Sequence, residues 1–136
     1  MLTWIKNKFG KNKDIIREFK PDIYPYTIWV SESEDNLEEL KRKFIGFYGD
    51  SEHEVLNPLP STALISVEKV KEKTTGRIGS LIRFTRTNIK PGDISHEVVH
   101  VADNFYSFIG KDTDVDNDED YAYLVGWITN KIYGYE

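Results

Sequence analysis

The sequence predicts an α+β domain in which a small antiparallel sheet carries two helices. Three observations lead there. Two β-rich runs, residues 62–70 and 77–87, flank the turn-like KEKTTG and read as a hairpin. The second run leads into Pro91-Gly92-Asp93, after which apolar residues recur at helical spacing, and a last helical pattern runs from about residue 118 to 133.

Taken in order, residues 1–20 read as a basic arm. Leu2, Ile5 and Phe9 fall at helical spacing with Trp4 beside them, and Lys6, Lys8, Lys11, Lys13, Arg17 and Lys20 supply charge. Packing on its own domain is the favoured role for the arm. Contact of residues 1–13 with a membrane surface or a partner is the alternative. Residues 21–136 form the expected domain proper. DIYPYTIWV, residues 22–30, is aromatic and β-branched and reads as a strand, with Pro25 at its beginning or on an edge. Residues 33–48 read as a helix capped by Ser33 or Asp35, with Leu37, Leu40, Phe44, Ile45 and Tyr48 on one side and Gly49 as its stop. SEHEVLNPLPS is expected to be a loop, and His53 within it a surface residue.

Asp93 is the expected N-cap of the next helix. Its apolar stripe is Ile94, Val98, Val101, Phe105, Phe108 and Ile109, leaving His96, His100 and Asp103 on the other side. In the last helix Tyr121, Leu124, Val125, Ile128 and Ile132 make one apolar side. Glu119, Tyr123, Gly126, Trp127 and Asn130 make a second stripe, in which Gly126, beside Ala122, is expected to permit close backbone approach.

With 39% hydrophobic and 13% aromatic residues in 136, the chain can build one core. A net charge of −5 argues against a nucleic-acid binder that neutralises phosphates across a broad face. There is no cysteine, so any metal must use His and oxygen ligands. No signal-peptide-like or membrane-spanning apolar run is visible, and a cytoplasmic location is the expectation.

The chemistry concentrates in His96-Glu97-Val98-Val99-His100. On a helix, H-E-x-x-H puts two imidazoles about one turn apart, roughly 6 Å, on one face, where both can grip one ion. Zinc is the expected metal. It takes three protein ligands in catalytic sites and keeps a fourth position for water. Glu119 is the candidate third ligand and Asp103 its rival, the latter better suited to orienting a ligand than to binding the ion. Glu97 is the candidate general base, and Tyr123, one turn after Glu119, a candidate donor to the developing oxyanion. Asp112, Asp114 and Asp116 match the first, third and fifth positions of a calcium loop, but Tyr123 stands where its bidentate Glu belongs. An exposed acidic connection is the favoured reading there.

Residues 82–132, a strand, the HEVVH helix, a polar loop and a helix of form E-x-Y-A-Y-L-x-G, resemble compact HExxH zinc metallopeptidase-like proteins, including small ones encoded by phages and bacteria. The resemblance implies a zincin-like half-domain with the later Glu as third ligand in the gluzincin manner. It covers about the last 55 residues. Tyr106 occupies the position of the third metzincin ligand. The expected activity is zinc-dependent hydrolysis of a peptide or protein substrate, with residues 79–85 adding the substrate as an extra strand. A non-catalytic phage or mobile-element accessory protein, using the same scaffold to bind a partner, is the alternative.

Overall fold

The computed structural model describes residues 16–32, 37–48, 51–53, 56–59, 64–84 and 88–135. They form an α+β arrangement built on one mixed six-stranded sheet. The elements in chain order are β1 (Arg17–Phe19), β2 (Tyr26–Ser31), α1 (Leu37–Lys43), β3 (Phe44–Tyr48), β4 (Ser51–His53), β5 (Ile65–Glu72), β6 (Ile78–Phe84), α2 (Pro91–Ile109) and α3 (Glu119–Tyr133). The strand order across the sheet is β1-β2-β6-β5-β3-β4.

The hairpin is present as β5 and β6, antiparallel from Ile65↔Phe84 to Lys71↔Ile78. Gly76, at φ 76°, occupies the left-handed region in its turn. The sheet is not wholly antiparallel, however: β2 lies parallel to β6, from Tyr26↔Ile78 to Ser31↔Arg83. The chain leaves β2, builds α1, β3, β4 and β5, and returns beside β2 in the same direction. A crossover of this kind is what parallel pairing requires.

Residues 33–48 are the second correction. The described helix covers only Leu37–Lys43, and Phe44–Tyr48 continues as a strand paired with β5 and β4. FIGFY is rich in aromatic and β-branched residues, and sheet pairing overrides a spacing that also fits a helix. Ser33, Asp35 and Gly49, the expected cap and stop, lie outside the described residues. Part of the expected loop is the edge strand β4, where His53 is exposed as expected. Residues 17–19 of the basic arm form β1, and residues 1–15 lie outside the described part.

Alternation along the strands gives each face of the sheet its own core. Tyr26, Ile28, Val30, Ile82 and Phe84 meet Ile94, Val98, Val101 and Phe105 of α2 and Ile128 and Ile132 of α3. On the other face Trp29, Leu81 and Val70 meet Leu40, Phe44 and Leu56. Arg17 fastens β1 to the end of α3, its guanidinium donating to the Lys131 and Ile132 carbonyls. Among the described residues, no helix is long and apolar enough to cross a membrane.

A charged cluster closes the hairpin end of the sheet. The buried Glu72 accepts hydrogen bonds from Arg77 and Thr75 and pairs with Lys43 at 3.1 Å, while Arg77 also reaches Glu18 at 2.7 Å. Burial opposes ionisation of Glu72, but the hydrogen bonds from Arg77, Thr75 and Lys43 outweigh it and hold the carboxyl at about 2, below the ordinary 4.5. A depressed folded-state pKa gives stability that is present above pH 4.5 and lost as pH falls towards 2. The expected loss is about 1–2 kcal/mol after discounting for solvent screening. Urea unfolding between pH 7 and 2.5 checks it: Glu72→Gln should flatten the acid limb relative to the wild type.

Candidate metal and catalytic site

Helix α2 begins three residues earlier than a cap at Asp93 would allow. Lys90, extended at φ −108°, is the N-cap and Pro91 opens the helix. Asp93 stands at N3, and its carboxylate accepts the Lys90 backbone N–H at 2.8 Å. The helix ends at Gly110, φ 72°, with Lys111 N–H bonded to the Tyr106 carbonyl. The apolar side that docks on the sheet is Ile94, Val98, Val101, Ala102, Phe105 and Tyr106. Phe108, expected in that stripe, is instead 41% exposed, and Tyr106 is buried edge-on against Tyr121.

Docking in this rotation turns His96 and His100 outward, as their side of the wheel predicts. Their Nε2 atoms converge to 3.3 Å, with ring centroids 4.9 Å apart. Two imidazole nitrogens on one tetrahedral zinc, each about 2.0–2.1 Å from it, are separated by about 3.3–3.4 Å. The pair therefore has the spacing of one edge of such a site.

Glu97 is half-buried beside the pair. Burial pushes its carboxyl up, Asp93 adds to the rise, and His96 and His100 oppose it. A carboxylate raised in this way is better matched to accepting a proton near neutrality than a solvated one.

The other candidates are placed differently. Tyr121, on the side of α3 expected to be purely apolar, donates to Asp103 Oδ1 at 2.7 Å and leans on the Val99 carbonyl at 3.4 Å. Its phenol is held well above the usual range by burial and by the Asp103 carboxylate. These contacts set Tyr121, in the first turn of α3, against Val99, Asp103 and Tyr106 of α2, while Glu119 at the start of α3 is exposed. Among the described residues, no three His, Cys, Asp or Glu side chains gather into a group able to hold a metal. Neither Glu119 nor the Asp112, Asp114 and Asp116 run completes one. Tyr123 is 75% exposed and lines an aromatic groove of about 420 Å³ with Tyr24, Phe105 and Trp127, towards the far end of α2 from His96.

Close approach at Gly126 does not occur: a Cβ there would meet nothing within 4 Å. The helices instead meet through larger side chains such as Tyr106 and Tyr121. Of the expected substrate strand, residues 79–84 lie in β6, which cannot accept another strand because it is paired on one side with β2 and on the other with β5; Thr85 lies outside the described residues. The functional contact missed in the sequence is Tyr121 with Asp103. Its signal was a phenol on an apolar stripe, where a hydroxyl needs a partner. The chain matches no protein-family model, no curated protein and no solved structure.

Proposed function

We propose that the protein is a zinc-dependent peptide hydrolase, with His96 and His100 as two ligands and Glu97 as general base. The observation that carries this reading is the 3.3 Å convergence of the two Nε2 atoms beside a half-buried carboxylate. Glu119 is proposed as third ligand, since its carboxylate is exposed, whereas Asp103 is engaged by Tyr121. That role requires the first turn of α3 to draw towards His96. Zinc, when bound, lowers the pKa of its water and polarises the scissile carbonyl.

Glu97 takes the proton of the attacking water and returns it to the departing amine. Asp103, fixed by the Tyr121 hydroxyl, is suited to orient His100 from one turn away. An extended substrate is proposed to lie along the outer side of residues 65–68 of β5. Among the described residues, β3 pairs with β5 only at Val70, Lys71 and Glu72.

Metal content tests the reading. After dialysis against zinc, wild type should hold about one ion per chain, and His96→Ala and His100→Ala should each lose it. Glu119→Gln should weaken binding by more than the 10–100-fold expected of an orienting residue such as Asp103. A wild-type chain that takes up no zinc would overturn the proposal. The groove at Tyr123 favours the second reading, a partner-binding module, which predicts that His96→Ala leaves function intact.

A further inference from the structure

A second cavity, of about 370 Å³, lies between the C-terminal half of α2 and the sheet. Its walls are Phe47, Ile78 and Phe108, and its polar groups are Asn104, Ser107 and Lys69. Asn104 is held in place, donating to Ser80 Oγ at 3.3 Å, and Ser80 in turn bonds the Tyr26 hydroxyl. Lys71, the neighbouring cation on the same face of β5, is taken by Glu52 at 2.8 Å. The Lys69 ammonium has no side-chain partner among the described residues.

The cavity is aligned with the candidate site. Glu97, Asn104 and Phe108 fall on one face of α2, and Asn104 is seven residues, about 10 Å, beyond Glu97 along the axis. An extended peptide covers that distance in about three residues.

We propose that this cavity is a carboxylate-binding subsite for peptides. An apolar body rests against Phe47, Ile78 and Phe108, and its carboxylate meets Lys69, with Asn104 and Ser107 able to hydrogen-bond the adjoining amide. The substrate class follows, resting on the hydrolase reading: peptides with a carboxylate about three residues from the bond cut, carried either by the chain terminus or by an acidic side chain.

Binding to zinc-free wild-type protein tests this, followed by NMR of the Asn104 side-chain amide. Three probes separate the sources: acetyl-Ala-Ala-Phe with a free carboxylate, its amide, and acetyl-Ala-Ala-Glu amide. At least one carboxylate probe should bind roughly tenfold more tightly than the neutral amide and move the Asn104 signals, the tighter of the two identifying the source. Lys69→Gln should erase the preference with an unchanged unfolding midpoint. Equal binding of all three probes, no binding of any, or a preference that survives Lys69→Gln would each overturn the subsite. Because the protein is metal-free, a subsite that binds while the zinc-loaded chain cuts nothing would sink the hydrolase reading alone.

Discussion

Glu97→Gln is expected to lower peptide hydrolysis by about 10²–10⁴-fold while zinc remains bound. The amide keeps the shape and half-buried position of Glu97 but cannot take a proton. The histidines are untouched, and their placement comes from docking of Ile94, Val98 and Val101, not from Glu97. Steady-state cleavage of a quenched peptide library, read beside zinc stoichiometry, gives both halves of the test. Full activity in the variant would remove Glu97 from the reaction, and loss of zinc would make it a ligand or a structural support.

The second large effect is on stability. Gly79→Ala is expected to destabilise the protein by about 3 kcal/mol or more, the upper range for overpacking. In β6 Gly79 lies beside Thr27 of β2, and a Cβ would stand 1.7 Å from the Thr27 carbonyl oxygen and 2.9 Å from the Trp29 ring. Backbone carbonyl and a fully buried indole cannot both step aside cheaply. Gly126→Ala is the control, since its Cβ meets open space on a helix and should stabilise by about 0.5–1 kcal/mol. Thermal and urea unfolding compare the two. A neutral Gly79→Ala would show that β2 and β6 can part without loss.

What the sequence reveals here is mostly local. The helices α2 and α3 are legible because Ile94, Val98, Val101, Ile128 and Ile132 repeat at the helical period, and the rotation that exposes His96 and His100 follows from the same pattern. The β5–β6 hairpin is legible for the same reason, its partners being adjacent in the chain. Phe44–Tyr48 is not, because Leu37, Leu40, Phe44 and Ile45 fit a helix and the partner that decides otherwise, Val70–Glu72, is about 25 residues away. The parallel register of Tyr26 with Ile78 is likewise a property of the assembled sheet. In the site, the imidazole pair was readable from five letters. The turn of α3 that sets Tyr121 on Asp103 depends on how two helices dock, which spacing within either helix does not specify.

The position of β6 bears on when the imidazole pair can be set in place. One neighbour of β6, β5, is adjacent in the chain and can pair early. The other, β2, is joined to it through the parallel match of Tyr26 with Ile78, across about 50 intervening residues. Long-range closures of this kind are slow steps in folding. The HEVVH helix hangs from the end of β6 and is seated on the face that β2 and β6 make together. β2, β5 and β6 all precede the two imidazoles in the chain, whereas Ile128 and Ile132 of α3, which share the same core, follow them. The final seating of the imidazole pair is therefore a late event, a readout of finished assembly.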